Sequence, residues 1–562
     1  MRREVGVVNK KVCSFPILFA LLALLIGTCA VVFPASAQAA PTSTGSITVS
    51  GTVARSYDAY QIFSANVVDG DSDAKIATDL AWASDAARDA VLPVLHSAGM
   101  PNSQTTAQEA AEWLNTDSHL TSALSAQLAR SLQSSGAVSV ALNAGTTAEL
   151  PCGYWLIVAD DGSIAQGEAG TAPIMALVGG SAVTVKPKAA TPKVSKHVLE
   201  DSTAAWQKAA DATVADDLYW RLSATVPAGL TAYDTYTVRF VDTMSAGLDP
   251  SKVAASMRVY VAAGADGGFD SVQTGKDGRV GTEPAKGWTD ITAQCATKVA
   301  ADGTFAVRTG DLIAALGGAD AFTAGARVVA VYNAPLNSAC NHGIAKGNPN
   351  EVYLRYPRSP FADQSGDAGF TRTPSDDACA YTWDLALTKR GSDGDKPLSG
   401  AVLSIADDRG RTLAADGTWD AEGKATVTTG EDGRVTVSGV DSGKLEVREL
   451  KAPKGYTAFE GTRSVTVKAE GLDVDQVAAA KPELTITAES PLRADSADGS
   501  TGSLEASLIN TPTGTPPSIT TGGFMPSTGD MAMYAAAAAA VAGAALIVVA
   551  LLVKRGGGSH KE

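Results

Sequence analysis

The stretch Trp383-Asp384-Leu385-Ala386-Leu387-Thr388-Lys389 decides the fold of its region. Large apolar residues alternate with small or polar ones, so on a strand Trp383, Leu385, Leu387 and Lys389 share one face. Two later stretches repeat the pattern. Leu445, Val447 and Glu449 share a face, and so do Leu504, Ala506, Leu508 and Asn510. Short strands that each bury one face are the signature of a β-sandwich. The alternation therefore sends a lysine, a glutamate and an asparagine toward an apolar interior. Burial favours the neutral amine of Lys389 and the protonated carboxyl of Glu449. A neutral amine can attack the Asn510 carboxamide while the Glu449 carboxyl polarises its oxygen and ammonia leaves. The product would be an intramolecular Lys389–Asn510 isopeptide bond, with Glu449 as its catalyst.

Outward from there, residues 379–510 carry strand-like runs separated by Gly/Asp turns, such as Asp407-Asp408-Arg409-Gly410 and Gly430-Glu431-Asp432-Gly433. Residues 189–378 read as a second sandwich, with short β-like runs at 236–240, 327–332 and 352–356. Residues 41–188 mix strand patterns at 46–53 and 156–159 with helical periodicity at 85–96 and 120–132. Residues 511–524, rich in Thr, Pro and Gly, read as a linker. The expected fold class is mainly β. Tandem immunoglobulin-like β-sandwich domains follow a mixed α/β N-terminal domain, and a transmembrane helix ends the chain.

The chain has 562 residues, too many for one domain, and its 45% hydrophobic content is enough to fill ordinary cores. A formal net charge of −15 argues against nucleic acid as a partner. Enzymatic patterns are absent from the sequence. The five histidines show no metal-binding spacing, and there is no G-x-S-x-G or Gly-rich phosphate loop. No metal, no cofactor and no enzymatic activity are expected, apart from self-crosslinking. Between the two ends lie four cysteines, Cys152, Cys295, Cys340 and Cys379. In an exported chain an even number permits two disulfides, in any of three connectivities.

The ends are targeting segments. Arg2, Arg3, Lys10 and Lys11 flank the start of an apolar run at 15–33, followed by Ala35-Ser36-Ala37-Gln38-Ala39-Ala40. That is a secretory signal over 1–40. Near the other end, Met525-Pro526-Ser527-Thr528-Gly529 precedes an apolar span at 531–553, and Lys554, Arg555 and Lys561 follow it. In this order, residues 525–562 resemble the LPXTG-type cell-wall sorting signal of Gram-positive surface proteins, with Met525 where Leu is usual. The resemblance implies that a sortase cuts between Thr528 and Gly529 and passes the Thr528 carbonyl to an amine.

The interior extends the resemblance. The stretch Leu445-Glu446-Val447-Arg448-Glu449-Leu450-Lys451-Ala452-Pro453-Lys454-Gly455-Tyr456 resembles the E-box of Cna-B-type pilin domains, with Glu449 as its glutamate and Leu450 in place of the common Thr. Phe240-Val241-Asp242-Thr243-Met244-Ser245-Ala246-Gly247-Leu248 resembles the fimbrial isopeptide-forming domain of the same pilins. That implies Lys196 as nucleophile and Asp242 as its acid. Where the family ends this domain with Tyr-Ser-Asn, the chain reads Tyr356-Pro357-Arg358. Asn350, at the other end of that strand, is then the candidate partner. Val183-Thr184-Val185-Lys186-Pro187-Lys188 resembles the pilin motif, whose last lysine accepts the acyl group of a neighbouring subunit. Lys188 is that lysine, with Lys186 and Lys193 as alternatives.

As a whole the chain is similar to the backbone (major) pilins of sortase-assembled Gram-positive pili. The resemblance implies a secreted, wall-anchored structural subunit that supports adhesion. Its implied partners are pilin-specific and housekeeping sortases, identical subunits joined head to tail, minor pilins, peptidoglycan and host surface ligands. A minor or tip pilin, or a wall-anchored adhesin, is the alternative; either shares the sorting signal and the sandwiches without needing Lys188.

Overall fold

The computed structural model describes residues 43–514 except 52–54, 72–73, 117, 229 and 265–286. The signal at 1–40, the pentapeptide Met525–Gly529 and the apolar span after it lie outside the described residues. Among the described residues no helix is long and apolar enough to cross a membrane.

The N-terminal region is mixed α/β, as its two periodicities predict. A three-stranded sheet places Thr44–Val49 between Thr147–Pro151 and Val183–Val185, and a five-stranded sheet is built around the long strand Ser56–Asp69. Helices Asp85–Ser97, Ala107–Asn115 and Ser122–Ser134 pack their apolar faces on Ile62, Phe63, Leu156 and Val158 of that second sheet. Each helix opens on a hydroxyl that accepts from its first turn, from Ser84, Thr106 and Thr121 respectively. The first and third helices were expected. The second was not, and its signal is the Thr106/Glu109 capping box.

The middle region is a sandwich. One sheet runs Ala205–Gln207, Val194–Glu200, Tyr219–Thr225, Arg327–Asn333, Arg258–Ala262, Trp288–Asp290. The facing sheet places Arg239–Met244 between Asn348–Pro357 and Thr304–Arg308. The expected run at 236–240 becomes strand only from Arg239. Its earlier amides at Tyr236 and Val238 are instead bonded to the side chains of Asp311 and Thr309.

The C-terminal region is a second sandwich. Its first strand, Trp383–Gly391, pairs in parallel with its last, Ser503–Pro512. The facing sheet is centred on Val402–Ala406, Gly443–Lys451 and Thr462–Glu470. Trp383, Leu385, Leu387, Val447, Leu504, Ala506 and Leu508 fill the space between them, as the alternation requires. Full burial of one such large side chain contributes about 3 kcal/mol.

The two sandwiches share a joint. The expected boundary at 378/379 falls inside the strand Asp376–Tyr381, where Ala378 and Ala380 face the middle core while Cys379 and Tyr381 face the C-terminal one. Ala209–Asp211 lies parallel to it and divides its side chains in the same way. Asp211 fastens the two halves, accepting from Trp383 Nε1 at 2.7 Å and from Ser442 N at 2.9 Å.

Candidate functional site

The C-terminal trio comes together in an apolar interior. Lys389 is fully buried, and Glu449 and Asn510 nearly so. Lys389 sits on the first strand and Asn510 on its parallel neighbour, where Lys389 pairs with Leu508 and Gly391 with Asn510. Glu449 reaches them from the facing sheet. A tight turn fixes the end of the first strand: Gly433 (φ +72°) accepts from Lys389 N at 2.8 Å. A side chain on Gly433 would meet Leu398 N and Lys389 O at 2.8 Å, so only glycine fits.

Around the reacting groups, Lys389 Nζ donates to Leu508 O at 3.1 Å and lies 3.9 Å from Glu449 Oε1. Asn510 Nδ2 donates to both oxygens of Glu449, at 2.8 and 3.0 Å. Phe459 N holds the carboxylate in place at 3.1 Å. Burial pushes the Lys389 amine down to about 8, toward the neutral nucleophile. The expectation placed Glu449 on the amide oxygen; in the structure it faces the amide nitrogen. One carboxylate thus lies against both the Lys389 amine and the Asn510 amide nitrogen.

The middle site is also assembled. Lys196, Asp242 and Asn350 are all fully buried. Lys196 comes from the sheet that carries Tyr332, and Asp242 and Asn350 come from adjacent strands of the facing sheet, with Met244 opposite Asn350. Lys196 Nζ is in direct ion-pair contact with Asp242 Oδ2. Burial pushes the lysine down to about 8 and raises the Asp242 carboxyl, against the pull of their mutual attraction. Asn350 reaches this pair through Tyr332, which the sequence reading did not single out. The signal was present: Val328, Ala330 and Tyr332 alternate inward on one strand, and a buried phenol needs a partner.

Of the candidate acceptor lysines, Lys188 follows the last strand of the N-terminal region and is exposed, as are Lys186 and Lys193. The cysteines depart from expectation, because all four are free. Cys152 packs with Ala65, Val67 and Ala77 in the N-terminal region. Cys295 Sγ donates to Ile291 O at 3.3 Å, Cys340 Sγ lies 3.6 Å from His342 Nε2, and Cys379 is in the shared strand. Each thiol has its own neighbours. Burial pushes those of Cys295, Cys340 and Cys379 up to about 11. Among the described residues no group of three His, Cys, Asp or Glu side chains could hold a metal ion.

Fold and site together define a multidomain β-sandwich protein with lysine, carboxyl and asparagine side chains collected in its dry cores. Residues 384–481 match the family described as the SpaA prealbumin-like fold domain, a span that holds Lys389 and Glu449. Over 143 residues the chain is 30% identical to the trypsin-resistant surface T6 protein of Streptococcus pyogenes serotype M6, which is 24% of this chain and 24% of that protein. The chain thus matches about a quarter of that relative's length. Among solved structures, the T6 backbone pilin of serotype M6 Streptococcus pyogenes aligns at TM-score 0.46 and 17% identity, over 85% of this chain and 100% of that one. The full-length major pilin SpaD of Corynebacterium diphtheriae aligns at TM-score 0.40 and 16% identity, over 84% and 98%. The likeness to Gram-positive backbone pilins read from the sequence is borne out by the domain family and the curated relative.

Proposed function

We propose that the chain is the backbone subunit of a covalently polymerised pilus on a Gram-positive cell surface. The observation that carries this reading is the buried Lys389–Glu449–Asn510 constellation, two members of which, Lys389 and Glu449, lie in the span that matches the SpaA prealbumin-like domain. In the proposed scheme a sortase cuts between Thr528 and Gly529, and the exposed Lys188 of the next subunit takes the Thr528 acyl group. A one-way link from threonine to lysine is a heterologous contact, and such contacts propagate as filaments. Within each subunit, Lys389–Asn510 and Lys196–Asn350 amides form with loss of ammonia, Glu449 and Asp242 serving as the respective proton-handling groups. The curated relative is named for its resistance to trypsin. Covalent closure of each sandwich gives this chain a route to the same property.

Denaturing gels of wall extracts test the polymer. A high-mass ladder is expected, and it should collapse in Lys188→Ala. A ladder unchanged by Lys188→Ala removes Lys188 as acceptor, and no ladder in the unmodified strain favours a minor pilin or wall-anchored adhesin. Intact mass tests the crosslinks, since each bond makes the chain lighter by one ammonia.

A further inference from the structure

The middle site contains one group that a lysine–carboxyl–asparagine scheme leaves unused. Tyr332, on strand Arg327–Asn333, is fully buried, and its ring packs edge-on against Phe305 at 4.8 Å. Its hydroxyl accepts from Lys196 Nζ at 2.8 Å and from Asn350 Nδ2 at 2.8 Å, and it donates to Asp242 Oδ2 at 3.1 Å. A phenol has one proton to give and two lone pairs to accept with, so every position on this oxygen is filled by a member of the site. A phenylalanine would fill the same space without placing a polar atom in a dry core. Two of the three partners are the nitrogens between which a proton must travel when the bond forms.

We propose that Tyr332 is a catalytic residue of the middle crosslink, relaying a proton from the attacking lysine to the departing amide nitrogen. The inference rests on the reading of Lys196 and Asn350 as bond partners. With the Lys196 ammonium proton passed to its ion-pair partner Asp242, the Nζ lone pair forms a bond to Asn350 Cγ. The carbonyl π pair moves onto Asn350 Oδ1, and the attacking nitrogen carries one proton too many. Protonation of Asp242 releases the Tyr332 hydroxyl from Oδ2. The Tyr332 oxygen then takes the extra proton while its own turns and passes to Asn350 Nδ2, whose lone pair the addition has freed. The Oδ1 pair then re-forms the carbonyl as the Cγ–Nδ2 bond breaks with its electron pair on nitrogen. Ammonia leaves and takes the Asp242 proton with it as ammonium, and the phenol is restored. Amine and carboxamide have become amide and ammonia, with no further reactant. Burial, reinforced by the Asp242 carboxyl, holds the phenol well above its ordinary range, so it works as a hydroxyl and not as a phenolate. In the C-terminal site Glu449 itself touches Asn510 Nδ2, and among the described residues no hydroxyl is bonded to Lys389 Nζ.

The test follows crosslinking in the full chain made by cell-free synthesis, quenched over time and mapped by peptide mass. In Tyr332→Phe the Lys196–Asn350 peptide should appear about 10²-fold more slowly. The Lys389–Asn510 peptide of the same molecules should appear at an unchanged rate, reporting that the chain has folded. Equal rates for both bonds in the variant and the parent overturn the relay. A parent chain that never forms the Lys196–Asn350 peptide overturns the pairing beneath it, which is a separate result. Where Tyr332→Phe also slows the C-terminal bond, 3,5-difluorotyrosine at position 332 keeps the ring and hydroxyl but changes the acidity. A relay then shifts the rate several-fold and alters its pH profile; an unchanged rate and profile overturn it.

Discussion

The middle and C-terminal sandwiches assemble the same three kinds of side chain in different ways. In the C-terminal domain Lys389 and Asn510 lie on neighbouring parallel strands of one sheet, and the carboxyl comes from across the core. In the middle domain the lysine faces its carboxyl and its asparagine across the core. One proposed bond would tie the first strand of a domain to its last; the other would tie two sheets together. Both arrangements would suit a chain under tension once the proposed bonds are closed. With its bond closed, the C-terminal domain passes load from Lys389 directly to Asn510, and everything between carries none. The middle domain does the same from Lys196 to Asn350. The chemistry differs too: the C-terminal carboxylate spans both nitrogens alone, whereas the middle site divides that task between Asp242 and Tyr332.

The largest effect should follow from breaking the site with a single proton-handling group. Glu449→Ala is expected to leave the C-terminal domain heavier by one ammonia and uncrosslinked. By loop-closure entropy alone, losing a link between such distant residues costs about 5 kcal/mol, in the manner of a lost disulfide. Calorimetry should show that domain melting far earlier than in the parent, and trypsin should cut it. A Lys389–Asn510 peptide still present in Glu449→Ala removes the role assigned to the glutamate.

The same cut in the middle site sharpens the contrast. Asp242→Ala leaves Tyr332 in contact with both nitrogens, so crosslinking is expected to slow, not to vanish. Peptide mapping over hours distinguishes the two outcomes. Complete loss, matching Glu449→Ala, would make the two sites equivalent and break the comparison.

A third effect should be common to both sites. Burial brings both lysines to about 8, so below that pH the unreactive ammonium dominates. Bond formation should therefore climb about tenfold per pH unit from about pH 6 and level off above about pH 8. Cell-free synthesis buffered across that range, read by intact mass, measures it. A rate that falls with rising pH would mean that amine deprotonation does not limit the step.

Sequence and structure agree most closely where side-chain alternation carries the information. Trp383, Leu385, Leu387 and Lys389 needed only period-two patterning, and a one-residue slip would have exposed them all. The distant partners of Lys389 were legible for the same reason. Tyr332 was legible only as an inward-facing residue, because a buried phenol requires some partner but no local pattern names which one. The second helix of the N-terminal region was missed although its Thr106/Glu109 box was readable. The joint was out of reach. The division of Asp376–Tyr381 between two cores depends on Ala209–Asp211, a segment far away in the chain. The cysteine count suggested pairing, but a count says nothing of distance, and all four thiols are free.

That joint connects the two sites and supplies the smallest test. Glu200 ends the strand that carries Lys196, and Asp211 holds Trp383 at the head of the strand that carries Lys389. Glu200 is buried, accepts from Ser202 and from Asp211 N, and faces the carboxyls of Asp211, Asp201 and Asp441; Arg409, 3.5 Å from Asp201, is the nearby cation. Burial first, and then Asp211, push Glu200 up to about 7. The Asp441 carboxyl is raised for the same reasons. A carboxyl raised on folding holds its proton better folded than unfolded. Its contribution is therefore complete below the ordinary glutamate value and is lost as pH climbs to about 7. The joint should loosen by roughly 2 kcal/mol between about pH 5 and about pH 8. Calorimetry of the crosslinked chain should show the two sandwiches melting together at the lower pH and separating at the higher. Glu200→Gln, which cannot ionise, should flatten that dependence. If the coupling in the parent does not weaken as pH rises, the carboxyl cluster does not govern the joint.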